Sequence, residues 1–179
     1  EVFATADMIV KVKEPQPGER AMLREGQILY TYLHLAPDPA QTKDLVASGA
    51  TCIAYETVTD RHGGLPLLKP MSQVAGRMSV HAGASALEKA HGGRGVLLGG
   101  VPGVAPGKVT VLGGGVVGFN AAQMAVGLGA DVTILDRNPE VLERLAIHFE
   151  ARAMTRFSNQ ANLAECVAEA DMVIGAVLL

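Results

Sequence analysis

The chain has 179 residues, of which 49% are hydrophobic, so it is long enough to bury a core of its own. A formal net charge of −3, no basic stripe and only 4% aromatic residues argue against nucleic acid as a partner. The two cysteines, Cys52 and Cys166, lie far apart, which argues against a disulfide framework and favours a reducing cytoplasm. The five histidines show no metal-ligand spacing, so we predict no metal site.

The first third of the chain alternates predicted strands with a helix. Strands are predicted at residues 8–12, 28–33 and 51–55. Asp38 as a cap and Pro39 as the first helical residue predict the start of a helix, and Gly49 predicts its end. Strands that are separated by a helix indicate a parallel sheet with helices on its faces.

The second half continues this alternation more clearly. A polar linker at residues 59–65 leads to a helix predicted over residues 71–89 and then to a loop rich in glycine and proline. Beyond it we predict a strand at 109–112, a helix at 119–128, a strand at 132–135, a helix from Asn138–Pro139, a helix over 163–170 and a strand at 172–176. This order predicts an α/β fold with a parallel sheet.

Glycine is in excess, with 21 residues, and no charged residue lies between Val109 and Ala130. The length of this run alone would permit a transmembrane helix, and Gly114 and Gly118 form a GxxxG pattern. Three consecutive glycines at 113–115 and the polar Asn120 argue against one continuous apolar helix. We therefore predict a strand, a turn and a helix here, and no membrane as a partner.

The motif Gly113-x-Gly115-x-x-Gly118 follows a predicted strand and opens a predicted helix. Such a loop lets a pyrophosphate approach the backbone at the positive end of a helix dipole. Asp136 ends the next strand, where a carboxylate accepts hydrogen bonds from an adenosine ribose and disfavours a 2′-phosphate. The pattern predicts NAD as the cofactor, although the adjacent Arg137 would suit NADP. The alternatives are a glycine-rich turn in a domain that binds no cofactor and a capping role for Asp136.

Three polar residues follow the predicted strands of the first third: Lys13, His34 and Glu56. Ligands of parallel α/β sheets bind beyond the carboxyl ends of the strands. A lysine can polarise a carbonyl or hold a carboxylate, and a histidine can move protons near neutral pH. Together they suit the interconversion of a 2-oxo acid and its reduced form. The alternatives are a solvated Lys13 and a His34 that only packs.

Longer recognisable segments lie in order along essentially the whole chain. They are residues 10–15, 23–27, 31–36, 54–58, 70–72, 74–78, 95–104, 113–118, 127–132 and 173–178. Together these segments resemble the bacterial alanine dehydrogenase family, within the wider alanine dehydrogenase/pyridine nucleotide transhydrogenase family. The resemblance implies a reversible, NAD-dependent oxidative deamination of L-alanine to pyruvate and ammonia, with hydride passing between the substrate Cα and the nicotinamide. It also implies a cytoplasmic homo-oligomer, commonly a hexamer.

The resemblance implies a domain organisation and roles for individual residues. Residues 1–67 would be part of the substrate domain, and residues 68–179 a Rossmann-type NAD-binding domain truncated at its C-terminus. Lys13 would bind the substrate carboxylate or carbonyl, and His34 would be the catalytic acid and base. The cofactor contacts beyond the glycines would be Ser72 at the diphosphate, Val116, Val117, Asp136, Val141, Ser158, Val177 and Leu178. Val141 departs from the basic residue that relatives often have there.

The resemblance further implies that the chain is an internal fragment. An arginine that grips the substrate carboxylate would lie before Glu1, and a second catalytic aspartate beyond Leu179. We therefore expect no measurable turnover from residues 1–179 alone. Three alternatives stay open: the NAD-binding hydride-transfer domain of a transhydrogenase, a saccharopine-type dehydrogenase, and an NAD-binding or interaction module without activity.

Overall fold

The computed structural model describes residues 1–177, which form two compact units that divide between Pro70 and Met71. The helices are α1 (Val2–Thr5), α2 (Pro17–Arg20), α3 (Pro39–Ser48), α4 (Lys69–Leu87), α5 (Val116–Gly127), α6 (Pro139–Phe149) and α7 (Gln160–Glu169). The strands are β1 (Met8–Val10), β2 (Ile28–Thr31), β3 (Thr51–Ala54), β4 (Lys108–Leu112), β5 (Asp131–Asp136), β6 (Met154–Phe157) and β7 (Met172–Gly175).

The first unit is built on a parallel sheet in the order β1-β2-β3. Helix α3 connects β2 to β3 and begins as its sequence predicts, because the Asp38 side chain accepts a hydrogen bond from the backbone N–H of Gln41 at 2.9 Å. It ends at Gly49, which has a φ of 68°. The buried hydrophobic core of this unit consists of Ile9, Leu23, Leu29, Leu33 and Leu45.

The second unit is built on a parallel sheet in the order β6-β5-β4-β7. Strands β4, β5 and β6 follow one another in one direction, and β7 then pairs with the other side of β4. In such sheets the strand order reverses at a crevice beyond the carboxyl ends, and ligands bind there. The predicted α/β fold with parallel sheets is confirmed.

Several elements depart from the prediction: helices α1 and α2 were not predicted, strands β1 and β2 end earlier than predicted, at Val10 and Thr31, and two further departures lie in the second unit. Strand β6 was not predicted, because it is short and has no buried alternation: Met154 and Phe157, its apolar ends, are exposed. Helix α5 begins at Val116 rather than at residue 119, directly after Gly115. Its first turn therefore lies next to the glycine motif.

The uncharged run from Val109 to Ala130 forms β4, the glycine turn and α5. The valines of β4 and the alanines of α5 are buried in the core of the second unit. Within residues 1–177, no helix combines the length and the apolar character that crossing a bilayer requires.

Candidate functional site

The carboxyl edge of the first sheet carries Lys13, His34 and Glu56 shortly beyond the ends of β1, β2 and β3. Because the three strands are parallel, their carboxyl ends meet at one edge. The backbone N–H of His34 contacts the side-chain carboxylate of Glu56. Lys13 and His34 both contact Glu14, a residue for which the sequence predicts no role.

The backbone at His34 is held in an unusual conformation by a carboxylate. His34 has a φ of 46°, in the left-handed region that few residues other than glycine adopt. Its N–H donates to Oε1 of Glu56 at 2.7 Å, and the N–H of Leu33 donates to the same carboxylate at 3.1 and 3.2 Å. Consecutive N–H groups that converge on an anion form a nest, so Glu56 stabilises the turn that presents His34.

A buried amide holds the other side of the same turn. The side-chain amide of Gln41, on α3, donates to the carbonyl oxygen of Leu33. Gln41 is only 2% exposed, so this hydrogen bond is made in the interior of the unit. The turn before His34 is therefore fixed both from the segment after β3 and from α3.

Glu14 lies between the two predicted site residues. Its Oε2 is 3.0 Å from Nζ of Lys13, and its Oε1 contacts Nδ1 of His34. A hydrogen bond from its own backbone amide, together with Lys13 and His34, lowers the pKa of Glu14 to about 2, against the opposing effect of burial. Glu14 is therefore ionised at neutral pH, while the Lys13 side chain remains 83% exposed and accessible to a ligand.

Thr31 fixes the backbone next to Lys13. Its hydroxyl is fully buried and lies 3.1 Å from the carbonyl oxygen of Val12 and 3.0 Å from that of Lys13. This contact ties the segment after β1 to the last residue of β2. The edge thus presents an exposed cation and an imidazole from fixed backbone positions, which suits binding a small anion and moving a proton.

The glycine motif of the second unit forms a tight turn between β4 and α5. Gly113 has a φ of 100°, and its N–H donates to the carbonyl oxygen of Leu135 at 2.7 Å. A Cβ atom at Gly118 would overlap the carbonyl oxygen of Gly113. The structure itself therefore requires a glycine at position 118, where the helix packs closely against the turn.

Gly115 is different, because nothing in the described part of the chain requires a glycine there. It has an extended backbone, with φ −69° and ψ −163°, and a Cβ atom would meet no atom within 4 Å. It lies directly before the first turn of α5, whose N–H groups have no partners inside the helix. Open space over free amides fits a pyrophosphate that approaches the backbone at this point.

Asp136 is joined to the glycine turn. Its Oδ2 accepts the N–H of Gly114 at 2.7 Å, and its Oδ1 accepts the N–H of Asn138 at 2.8 Å. Each carboxylate oxygen keeps a further lone pair for a ligand. The cleft beside it has a volume of about 470 Å³, and its lining includes Gly113, Asp136, Arg137, Ser158, Leu163 and Val177.

This cleft brings four of the predicted cofactor contacts together: Gly113, Asp136, Ser158 and Val177. Val141 lies next to the turn, since a Cβ atom on Gly114 would be 2.7 Å from its Cγ1. Its position indicates packing against the loop. Leu178, the remaining predicted contact at this end of the chain, lies outside the described residues.

Helix α4 packs against the first turn of α5. A Cβ atom on Gly76 would overlap the carbonyl oxygen of Val117, so the two helices approach closely. Ser72 lies one helical turn before Gly76 and therefore on the same face of α4. Val116, at the start of α5, is 39% exposed. Among residues 1–177 no cluster of side chains suits a metal ion.

Two family profiles together cover nearly the whole chain. The profile described as "Alanine dehydrogenase/PNT, N-terminal domain" matches residues 1–75, and the profile described as "Alanine dehydrogenase/PNT, C-terminal domain" matches residues 79–179. The chain is 62% identical over 174 residues to an alanine dehydrogenase of Halomonas elongata. The aligned region covers 97% of this chain and 47% of that protein. The chain thus spans about half the length of the curated relatives it matches.

Two solved structures resemble both units. A structure of L-alanine dehydrogenase has 56% sequence identity and a TM-score of 0.88, over 98% of this chain and 48% of that one. A transhydrogenase from Sinorhizobium meliloti has 26% identity and a TM-score of 0.76, over 98% of this chain and 51% of that one. The likeness extends through both the sheet edge with His34 and the glycine turn.

Proposed function

The chain belongs to the alanine dehydrogenase/PNT family, and from this premise we propose that the protein oxidises L-alanine to pyruvate and ammonia, and catalyses the reverse reductive amination. The observation that carries the proposal is the edge of the first sheet. There, an exposed Lys13 ammonium and the His34 imidazole stand on either side of the Glu14 carboxylate. The relatives' names support L-alanine as the substrate, and the residues of this edge support anion binding and proton transfer.

Lys13 has the chemistry to bind the substrate. Its ammonium is exposed and carries a positive charge that suits the carboxylate of alanine or pyruvate, or the carbonyl oxygen of pyruvate. The Thr31 hydroxyl, through its contact with the Lys13 carbonyl oxygen, keeps the backbone at this position fixed. Binding at one fixed end orients the substrate Cα, and such orientation contributes to the rate.

His34 has the chemistry to move the proton. In the deamination direction, water adds to the imine carbon, and His34 accepts the proton that this water releases as the C–O bond forms. His34 then takes part in the proton transfers by which the C–N bond breaks and ammonia leaves. A positioned general acid and base contributes about 10²- to 10⁴-fold to such steps. In the reverse direction the same nitrogen protonates the oxygen that leaves as water.

We propose NAD as the cofactor and the cleft next to Asp136 as its adenosine site. When bound, NAD accepts a hydride in deamination, and NADH donates it in amination. Gly113, Gly115 and Gly118 would admit the diphosphate, and Asp136 would accept hydrogen bonds from the ribose. We assign Ser72, Val116 and Val117 to the diphosphate end of this site. Val141, Ser158, Val177 and Leu178 complete the proposed set.

The division of labour between the units is part of the proposal. Residues 1–67 would contribute to the substrate domain, and residues 68–179 to the NAD-binding domain. We further propose a cytoplasmic homo-oligomer. The free thiols of Cys52 and Cys166 support a reducing compartment.

The proposal is tested with a full-length protein, meaning a chain of the relatives' length that contains these 179 residues. Oxidation of NADH is followed by its absorbance with pyruvate and ammonium, and with each omitted in turn. We expect oxidation only when both are present, and a rate that is at least about 10²-fold lower in His34→Ala. Hydride exchange between nucleotides without pyruvate would instead favour a transhydrogenase-like function.

A further inference from the structure

Glu14 is the residue of the sheet edge whose role the family resemblance leaves unassigned. Its side chain is 20% exposed and meets two functional groups at once, the Lys13 ammonium through Oε2 and the His34 ring through Oε1. An ionised carboxylate accepts hydrogen bonds but cannot donate them. The nitrogen of His34 that faces Glu14, Nδ1, must therefore carry a hydrogen in this contact.

This proton assignment determines what the other ring nitrogen can do. When Nδ1 carries the only proton of a neutral imidazole, Nε2 holds the free lone pair and acts as the base. Within residues 1–177, Nε2 of His34 makes no hydrogen bond. It is therefore the nitrogen that is available to a substrate.

The ring is also restrained on its flank. The rings of Tyr32 and His34 stack with centroids 6.2 Å apart and an interplanar angle of 19°. Tyr32 is itself held, because its hydroxyl donates to the carbonyl oxygen of Leu67 at 2.5 Å. With the backbone fixed by Glu56 and one face against Tyr32, the contact with Glu14 decides which ring edge points outward.

We propose that Glu14 is a positioning residue that holds His34 in the Nδ1–H tautomer and so presents Nε2 as the acid and base of the reaction. This inference rests on the proposed function. The chemistry matches the carboxylate–imidazole pairs of other enzymes, in which the carboxylate orients the ring and stabilises its protonated form without being protonated itself. Glutamine in place of Glu14 would remove the charge and could donate a hydrogen bond to Nδ1, which would favour the opposite tautomer.

The test compares Glu14→Gln, Glu14→Asp and Glu14→Gln/His34→Ala in the full-length protein. We expect Glu14→Gln to lower kcat by about 10²-fold while KM for pyruvate changes less than about threefold, and Glu14→Asp to restore part of kcat. In the His34→Ala background, Glu14→Gln should have almost no further effect, because the interaction it removes is already lost. Glu19→Gln is the matched control, because Glu19 is also paired with a lysine, Lys11, at 2.5 Å. This variant should leave kcat unchanged.

Three outcomes overturn the inference. An unchanged kcat in Glu14→Gln would remove Glu14 from the mechanism. An effect on KM alone would assign Glu14 to Lys13 and substrate binding. Equal losses in the presence and absence of His34 would show that Glu14 acts independently of His34. If the unmodified full-length protein oxidised no NADH with pyruvate and ammonium, the proposed function itself would fail, which distinguishes the two failures.

Discussion

The N–H of His34 donates to Oε1 of Glu56 at 2.7 Å, and this hydrogen bond is made from a backbone with a φ of 46° at His34. A positive φ costs a residue with a side chain about 1–3 kcal/mol and persists only where the surroundings determine it. Here the N–H groups of Leu33 and His34 share one carboxylate, and Gln41 donates to the carbonyl oxygen of Leu33. The carboxylate at the end of β3 thus stabilises the conformation that presents the imidazole at the end of β2.

Replacing Glu56 should therefore affect both stability and catalysis. Glu56→Ala leaves two N–H groups without their acceptor, which should lower the free energy of unfolding by about 1–3 kcal/mol. With the turn no longer held, kcat of the full-length protein should fall as well. Denaturant unfolding and initial rates measure the two effects. Glu25→Ala, at an exposed carboxylate of the same unit, is the control, and an equal loss of stability in both variants would contradict a specific role for Glu56.

Two glycines of the same motif should respond differently to the same substitution. Gly118→Ala adds a methyl group that overlaps the carbonyl oxygen of Gly113, so it should lower the free energy of unfolding by about 1–3 kcal/mol. Gly115→Ala adds a methyl group into open space, so the unfolding free energy should change by less than about 1 kcal/mol. Only the cofactor is obstructed, and NAD binding should weaken at least about tenfold.

Denaturant unfolding and calorimetric NAD titration of the two variants separate these effects. A Gly115→Ala protein that bound NAD normally would contradict the assignment of the open space above α5 to the diphosphate. A Gly118→Ala protein of unchanged stability would contradict the close packing of the helix on the turn.

Asp136 should act on both the glycine turn and the cofactor. Asp136→Ala removes the acceptor of the Gly114 N–H as well as the proposed ribose contact. NAD affinity should fall at least about tenfold, and the preference for NAD over NADP should narrow, because the charge that disfavours a 2′-phosphate is gone. Titrations with both cofactors measure this. Asp131→Ala, at the opposite end of β5, is the control; a cofactor preference that Asp136→Ala leaves intact would contradict the role of Asp136.

Acid should weaken the fold partly through Glu14. Its pKa is lowered to about 2 in the folded chain, from an ordinary value of 4.5, so folding favours the ionised form. The resulting stabilisation is fully present above the pKa of the unfolded chain and is lost as the pH falls from about 4.5 through about 2. The melting temperature of Glu14→Gln should therefore depend less on pH in this window than that of the unmodified chain. Identical pH dependence in the two proteins would contradict the lowered pKa.

Strand ends were the informative part of the sequence. In a parallel sheet, the residues that follow the strands share one edge, so Lys13, His34 and Glu56 could be predicted to converge without knowing any contact. The role of the Glu56 side chain could not be predicted in this way. Its carboxylate contacts the backbone at His34, and that depends on the left-handed turn which only the structure reveals.

Other features depend on contacts that sequence patterns do not report. Glu14 lies beyond the predicted strand at residues 8–12 and matches no site pattern, although it contacts both Lys13 and His34. The spacing of the glycine motif predicted the turn, but it did not predict that Gly114 packs against α6. A short edge strand such as β6, with exposed ends and an arginine inside, lacks the apolar alternation on which strand prediction depends.

In the proposed function, the protein passes a hydride between the Cα of alanine and a nicotinamide. The most direct test supplies the full-length protein with L-alanine that carries deuterium at Cα, together with unlabelled NAD, and analyses the NADH by mass spectrometry. We expect NADH that contains the deuterium, formed together with pyruvate and ammonia, and little NADH from His34→Ala. NADH without deuterium, or no NADH that depends on alanine, would contradict it.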